Sequence, residues 1–193
     1  MLGPEGRTVV TSSNEHRDQP REEEALLVAA RENPAVFAEL YQRYLGAIYR
    51  YLLALTGNRA EAEDLTQETF LRAYRALHTY QPRGLPFLAW LLRIARNVAI
   101  DAGRRATVER TRFSALRPPS LPTRETIDDQ LLLEQLLRRL SPEKQELLAL
   151  RFAAGLSTAE IAALLGKSEG AIRKQLFRII RELREAYHAE AAE

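Results

Sequence analysis

Residues 157–184 read STAEIAALLGKSEGAIRKQLFRIIRELR and predict two helices joined by a tight turn. Ser157 followed three residues later by Glu160 is the pattern of a capping box, which satisfies free backbone N–H groups at a helix start. Gly166 ends the first, short helix, because glycine adopts a positive φ at little steric cost. Ser168 is suited to cap the second, longer helix. This succession predicts a helix-turn-helix.

The second of these helices carries a basic strip on the side opposite its apolar residues. Five side chains form the strip: Arg173, Lys174, Phe177, Arg178 and Arg181. A helix with such a strip fits the major groove of DNA, where arginine pairs bidentately with guanine and further basic groups hold phosphates. Ser168 and the free N–H groups at the helix start can also bind a phosphate. The alternative is an ordinary amphipathic hairpin with an arginine-rich solvent face.

The rest of the chain also has the pattern of helices. Apolar residues recur at helical spacing from Glu22 onward, and no stretch shows the alternation or β-branched enrichment of a strand. Asn33-Pro34 and Asn58 mark two helix starts, and an apolar stripe from Phe87 to Val98 marks a further helix. The sequence therefore predicts an all-α fold.

The predicted helices fall into two small domains, which a length of 193 residues accommodates. Helical periodicity fails between residues 106 and 124, where three prolines occur. We predict a flexible polar tail over residues 1–24, a first helical domain over 25–105, a flexible linker over 106–124, and a second helical domain with the helix-turn-helix over 125–193.

The composition excludes several classes of protein. The chain has no cysteine, which excludes a disulfide framework, a thiolate zinc site and a cysteine nucleophile, and which fits a reducing cytoplasm. No run of about 18 apolar residues exists to insert into a membrane, and the amino terminus lacks the pattern of a signal peptide. The three histidines of the chain lie far apart in the sequence, and no acidic residue stands at the spacing of a metal site or a catalytic pair. We expect a cytoplasmic protein that is not an enzyme and has no catalytic residue, metal or cofactor.

The net charge of +2, from 28 basic and 26 acidic residues, hides a strong local pattern. Residues 61–68 hold four acids and no base, whereas residues 93–112 hold six arginines against two acids. Residues 173–184 hold five bases against one acid. Charged runs are usually solvated faces. Two basic helices with an acidic helix in the same chain nevertheless favour contact with both nucleic acid and a partner protein.

The first predicted domain holds two candidate surfaces. Asp64, Gln67 and Leu71 lie at i, i+3 and i+7, a mixed stripe suited to a basic partner surface. On the following helix, Arg93, Arg96, Asn97 and Arg104 line a face other than the apolar one. The preceding loop, residues 79–86, adds Tyr80 and Arg83, and an exposed aromatic beside arginines suits stacking on unpaired bases.

These residues carry a family resemblance. The segments DLTQETF (64–70), WL (90–91) and RIARN (93–97), with Asp101 and Arg104-Arg105, resemble region 2 of bacterial RNA polymerase sigma factors. The carboxyl-terminal half resembles region 4 of the same family, although Lys167 stands where the family usually has an apolar residue after the turn glycine. Both regions, in this order and without a third domain between them, are similar to the extracytoplasmic-function (ECF) group.

The resemblance implies a role for each candidate surface. The clamp coiled coil of the largest subunit of core RNA polymerase would be bound by Asp64, Leu65, Gln67, Glu68 and Leu71. The −10 promoter element would be captured and melted by Tyr80, Arg83, Arg93, Arg96, Asn97, Asp101 and Arg104. The −35 element would be read as duplex by Ser168, Arg173, Lys174, Phe177, Arg178 and Arg181. An anti-sigma factor is a further partner that the resemblance allows.

The expected function is therefore that of a sigma factor, which binds core RNA polymerase and directs promoter recognition and melting without covalent chemistry of its own. One alternative is a stand-alone helix-turn-helix transcription regulator, which would more often show an extended apolar stripe for dimerisation. The other is a helical interaction protein that does not bind DNA. The latter predicts that Arg173→Ala combined with Lys174→Ala leaves function intact.

Overall fold

The structure is a computed structural model that describes residues 15–81, 85–110 and 127–190, with side chains described for residues 23–81, 85–104 and 132–190. These residues form helices with no strand among them, which confirms the all-α prediction for the described chain. In chain order the helices are α1 (Glu15–Glu32), α2 (Pro34–Thr56), α3 (Arg59–Ala76), α4 (Phe87–Arg110), α5 (Ile127–Arg139), α6 (Pro142–Leu148), α7 (Thr158–Leu165) and α8 (Glu169–Glu190). A short 3₁₀ turn (Leu77–Thr79) follows α3, and a π-helical turn (Ala149–Ala153) follows α6.

Asparagine side chains start two of these helices, as the sequence predicts. Asn33 Oδ1 accepts the Ala35 N–H at 2.9 Å at the start of α2. Asn58 Oδ1 accepts the Glu61 N–H at 3.2 Å at the start of α3. The Asn58 N–H donates to Thr56 Oγ1 at 3.3 Å, so this backbone donor is satisfied as well. A polar side chain at each helix start replaces the missing intrahelical partner of the first N–H groups.

Two predicted boundaries need correction. The tail was predicted over residues 1–24, but α1 begins at Glu15, because glutamate and arginine, which dominate this segment, favour helix even without an apolar stripe. The linker was predicted from residue 106, but α4 continues to Arg110, since the first linker proline comes only at Pro118. Residues 1–14 and 111–126 lie outside the described residues, so the remaining tail and linker stay predictions.

The chain separates into two compact units, Met1–Arg43 and Tyr44–Glu193. The first unit holds α1 and the first part of α2. The second unit holds residues from both domains predicted from the sequence, so the division into compact units does not follow the predicted linker. Its helices α4 and α7, which belong to different predicted domains, are in contact with each other.

An aromatic cluster fixes the beginning of α4. Phe87 stacks on Trp90 with ring centroids 5.2 Å apart, and Tyr80 meets Phe87 and Trp90 at 5.3 and 4.9 Å. Tyr44 contacts the edge of Phe87 at 5.5 Å. Aromatic pairs of this kind contribute about 0.5–1.5 kcal/mol each beyond the area that they bury. Further along, α4 packs on α3 through its buried apolar stripe, so one side of α4 faces the core and the other faces water.

Helices α5 to α8 surround a second apolar core. It includes Leu136, Leu147, Leu150, Leu156, Ile161, Ile172, Leu176 and Ile179, all buried. The turn between α5 and α6 is held by Gln145, whose Nε2 donates to the carbonyls of Leu137 and Leu140, each at 3.0 Å. Among the described residues no helix is long and apolar enough to cross a membrane.

Candidate nucleic-acid interface

The turn between α7 and α8 has the geometry that the sequence predicts. Ser157 Oγ accepts the Glu160 N–H at 3.2 Å, and Glu160 Oε2 accepts the Ser157 N–H at 2.7 Å, so the capping box is complete. Gly166 has φ 65° and its N–H points to the Ala162 carbonyl. The Lys167 N–H reaches the same carbonyl at 2.9 Å, a bond that closes the end of a helix with a left-handed residue. Because Lys167 is exposed, its polar side chain leaves the turn intact.

A second link joins the beginnings of α7 and α8. Thr158 Oγ1 donates to Glu169 Oε1 at 2.8 Å, and Arg173 Nη2 donates to the same oxygen at 2.7 Å. The hydrogen bond from Thr158 lowers the pKa of the Glu169 carboxyl most, and the hydrogen bond from Arg173 lowers it further. Ser168 Oγ accepts the Ala171 N–H at 3.3 Å, so Ser168 acts as the cap of α8. The link orients the first turn of α8, which also carries the beginning of the basic strip.

All six residues predicted for duplex DNA are exposed on α8 or at its start: Ser168, Arg173, Lys174, Phe177, Arg178 and Arg181. Phe177 is 66% exposed, although it is a large apolar residue. The ion pairs of this strip stay within α8, with Glu169 for Arg173 and with Glu185 for Arg181 at 3.6 Å. Opposite the strip, α8 buries Ile172, Leu176 and Ile179 in the core. The helix therefore presents a basic surface with one aromatic ring, which we call the α8 strip.

The corresponding face of α4 is only partly as predicted. Arg93, Asn97 and Arg104 are exposed at i, i+4 and i+11, and we call them the α4 face. Arg96 is half-buried beside this face and donates through Nε and Nη2 to the two carboxylate oxygens of Glu146 on α6, the second bond at 3.3 Å. The Glu146 hydrogen bond raises the pKa of Arg96. While this pair is formed, the guanidinium of Arg96 is not available to a phosphate.

Three further residues were predicted for the −10 element: Tyr80, Arg83 and Asp101. Tyr80 is buried in the aromatic cluster, so the expectation of an exposed ring is wrong; the aromatic residues that follow at 87 and 90 supply its partners. Asp101 Oδ2 accepts from Arg72 Nη1 at 3.1 Å, which makes it a partner of α3. Arg83 lies outside the described residues.

Helix α3 presents a mixed acidic and apolar stripe. Asp64, Gln67 and Leu71 are exposed on one side, and Tyr74, 43% exposed, extends the same stripe. Tyr74 was not among the residues predicted from the sequence. Its position three residues after Leu71 would have indicated that it extends the stripe. We call these four residues the α3 stripe.

Two other residues predicted for α3 docking lie elsewhere. Leu65 is only 8% exposed, so its prediction as a contact residue needs correction: it lies on the side of α3 that packs into the core. Glu68 is half-buried and pairs with Arg72 Nε at 2.6 Å. Because Arg72 bridges Glu68 and Asp101, it connects α3 to α4. No group of residues able to hold a metal ion occurs among the described residues.

Family comparisons match both halves of this arrangement. Sigma-70 region 2 matches residues 40–108, and sigma-70 region 4 matches residues 130–183. The chain is 35% identical over 162 residues to the ECF RNA polymerase sigma factor SigL of Mycobacterium tuberculosis. The aligned residues cover 81% of this chain and 91% of SigL. The chain belongs to the ECF RNA polymerase sigma factors. This sigma factor is also 42% identical over 155 residues to BldN of Streptomyces coelicolor, matching 76% of its own length and 58% of the length of BldN.

A solved structure has a similar fold. CnrH, solved in complex with the cytosolic domain of CnrY, superposes with a TM-score of 0.66 at 26% identity, over 86% of this chain and 97% of CnrH. In this sigma factor, α3, α4 and most of α2 lie in the part that matches region 2, and α5 to α8 lie largely in the part that matches region 4. The α3 stripe and the α4 face therefore belong to region 2, and the α8 strip belongs to region 4.

Proposed function

We propose that this sigma factor binds core RNA polymerase through the α3 stripe and contacts promoter DNA through the α4 face and the α8 strip. The observation that carries the proposal is the presence of both sigma regions in one chain, each with its own exposed basic helix. A stand-alone regulator would need only the helix-turn-helix. A protein that never meets DNA would need neither basic surface.

The α3 stripe is suited to the clamp coiled coil of the largest polymerase subunit. Asp64 and Gln67 offer an acid and an amide to a basic or polar partner, and Leu71 and Tyr74 add exposed apolar surface. An interface gains its energy from such apolar anchors, while the charged groups fix orientation and speed association. Glu68 supports the stripe through Arg72, and Leu65 supports it from the core side.

The α4 face is suited to the −10 element. Arg93, Asn97 and Arg104 point away from the core and offer two charges and one amide to phosphates and base edges. The aromatic cluster of Tyr80, Phe87 and Trp90 fixes the beginning of α4, from which these side chains extend. In this proposal, Arg83 contacts unstacked bases of the melted strand.

The α8 strip is suited to the −35 element in duplex form. Arg173 and Lys174 lie in the first turns of α8, where side chains of a recognition helix reach base edges, and Arg178 and Arg181 lie further along, where they reach phosphates. Neither basic surface is large. Because core polymerase holds both regions on one promoter, the binding of the first surface raises the effective concentration of the second.

The proposed partners are therefore core RNA polymerase and promoter DNA, and the place of action is the cytoplasm, where both are found. The sigma factor performs no covalent chemistry in this scheme. An anti-sigma factor is proposed as a regulatory partner, by analogy with the structure of CnrH, which contains the cytosolic domain of a second protein, CnrY.

The direct test is run-off transcription from a pool of genomic fragments with purified core polymerase, with and without this protein. We expect enriched transcription starts that share two upstream sequence boxes. Absence of any enrichment contradicts the proposed function.

Docking is tested by Asp64→Ala combined with Gln67→Ala, which we expect to weaken core binding about tenfold or more, as for loss of central interface contacts. The matched control is Glu134→Ala combined with Gln135→Ala, which likewise removes one carboxylate and one amide, here from exposed positions on α5. Equal core affinity for the two double variants contradicts the role of α3.

A further inference from the structure

Region 2 and region 4 touch each other through a small set of polar contacts. Arg96 of α4 donates two hydrogen bonds to the carboxylate of Glu146 on α6. Tyr51 of α2 donates from its hydroxyl to Glu146 Oε1 at 3.4 Å. Arg50 of α2 donates from Nε to the carbonyl of Ala153 at 3.1 Å. Region 2 supplies the donor and region 4 the acceptor in each of these contacts.

Glu146 is the centre of this set. Its side chain is 16% exposed, so water competes weakly for its carboxylate, and Arg96 approaches it in the two-pronged geometry that a guanidinium makes with a carboxylate or a phosphate. A second cross-helix ion pair of α4, Arg72 with Asp101, joins two helices of region 2. The Glu146 pair instead joins residues 50 positions apart, in the two separate DNA-reading regions.

We propose, as a step that rests on the proposed function, that Glu146 closes region 4 over region 2 in the free sigma factor by occupying the guanidinium that Arg96 would otherwise offer to promoter DNA. The carboxylate of Glu146 takes the place of a DNA phosphate. In the closed state Arg96 is paired with Glu146, and α7, the first helix of the helix-turn-helix, contacts α4. Binding to core polymerase and promoter then requires Arg96 to exchange Glu146 for DNA.

Tyr51 supports this assignment. Its ring is fully buried, a position that phenylalanine would fill equally well by packing alone. Burial raises the pKa of the Tyr51 hydroxyl, and the charge of Glu146 raises it further, so the hydroxyl stays a neutral donor. Tyr51 therefore belongs to the core of region 2, and its hydroxyl forms this hydrogen bond only when region 4 is in contact with region 2.

The π-helical turn supplies the remaining contact. Its last residue, Ala153, presents a carbonyl oxygen to Arg50, while the Ala154 N–H bonds back to Ala149 at 2.9 Å. A π-helical turn is rare, and such turns are frequent at functional sites. In this chain it delivers a backbone acceptor to region 2 next to the Glu146 contact.

The closed state must be reversible, and the exposure of the contacts agrees with that requirement. Arg96 is 40% exposed and Arg50 is exposed, so solvent and salt weaken both bonds. A few such bonds bias an equilibrium without locking it. The apparent affinity for a ligand of the open state falls in proportion to the open fraction, so even a modest bias regulates binding.

The test measures the distance between the two regions in the free protein. The chain has no cysteine, so Ala54→Cys on α2 and Ala189→Cys on α8, both at exposed positions, accept a fluorescent donor and acceptor. Glu146→Gln removes the charge but keeps the size of the side chain, and Tyr51→Phe removes only the hydroxyl. The control is Glu182→Gln, since Glu182 pairs with Lys144 and both residues lie inside region 4.

We expect Glu146→Gln to lower the closed-to-open ratio about three- to tenfold, as for loss of one charge-assisted pair. Tyr51→Phe lowers it less, because the Arg96 pair remains, and Glu182→Gln matches the wild type. Added NaCl opens the wild type further than it opens Glu146→Gln. Equal energy transfer in the wild type, Glu146→Gln and Tyr51→Phe overturns the proposal.

A second readout separates this inference from the proposed function. Unlabelled Glu146→Gln should bind core polymerase with an apparent Kd about three- to tenfold lower than the wild type, because more of it is already open. The energy-transfer experiment contains neither polymerase nor DNA. Failure of run-off transcription would therefore refute the proposed function without changing the result on closure. Energy transfer that is the same in all variants would refute closure without bearing on the proposed function.

Discussion

Helices α4 and α8 are both arginine-rich, yet their charged groups are used in opposite ways. The ion pairs of the α8 strip join residues four apart, Glu169 with Arg173 and Arg181 with Glu185, so the strip remains on the surface. The pairs around α4 join residues far apart in the chain: 29 residues separate Arg72 from Asp101, and 50 separate Arg96 from Glu146.

Charge along a helix therefore does not by itself identify a DNA-binding surface. On α8, each carboxylate partner sits on the same exposed helix, and such pairs contribute only a few tenths of a kcal/mol, so DNA replaces them easily. On α4, Arg72 of α3 holds Asp101 and Glu146 of α6 holds Arg96, whereas the three residues of the α4 face are exposed. We expect the two helices to respond differently to the loss of single charges.

The largest effect is expected on α8. Arg173→Ala combined with Lys174→Ala removes two side chains from the start of the strip, and each such DNA contact contributes about 1–3 kcal/mol. We predict a loss of promoter-specific transcription of about thirtyfold or more, with core binding retained, measured by run-off transcription and by a core-binding titration.

The control for this variant is Arg138→Ala combined with Arg139→Ala on α5. It removes the same charge from the same region, at positions that are 60% and 61% exposed. If both double variants lose transcription equally, the effect reflects net charge, and the contrast between α8 and the rest of the region fails.

A smaller effect is expected on α4, where Arg93 is exposed and Asp101 pairs with Arg72. Arg93→Ala removes an exposed charge and should weaken formation of the melted promoter complex about fivefold, equivalent to about 1 kcal/mol. Asp101→Asn should leave promoter melting unchanged and lower the free energy of unfolding by about 0.5 kcal/mol, since its pair with Arg72 is partly exposed. Permanganate reactivity of unpaired thymines and urea unfolding measure the two quantities. A stronger melting defect in Asp101→Asn than in Arg93→Ala would show that Asp101 contacts DNA.

The smallest effects concern the backbones of the two helices. Gly103 on α4 and Gly170 on α8 have open space around an added Cβ, and neither has a positive φ. Replacing either with alanine should raise the free energy of unfolding by about 0.5–1 kcal/mol. Gly166 also has open space but has φ 65°, so Gly166→Ala should lower it by about 1 kcal/mol. Urea unfolding that shows the same sign for Gly166 and Gly170 would contradict the left-handed turn.

The sequence predicted best what depends on near neighbours. The capping box of Ser157 and Glu160, the turn at Gly166 and the α8 strip all follow from spacings of four residues or fewer, and the structure has each of them. Tyr80 could not be placed in this way, because its burial depends on how Phe87 and Trp90 fold back against it.

Arg96 shows the same limit more clearly. Its spacing on α4 is that of a surface residue, and nothing within one helical turn indicates that Glu146 will meet it. Leu65 differs again: the motif resemblance placed it in the docking set together with Asp64, although a change of one position on a helix is enough to turn a side chain from the partner to the core. Local pattern therefore predicted the elements, while the assignment of each side chain needed the packed structure.

The central claim is that two separate helices of one sigma factor contact two separate promoter elements. Hydroxyl-radical footprinting of the complex of core polymerase, this protein and a promoter selected from the genomic pool tests it most directly. We expect two protected patches, of which Arg173→Ala combined with Lys174→Ala removes only the upstream one. A single protected patch, or an upstream patch that persists in this variant, would contradict the claim.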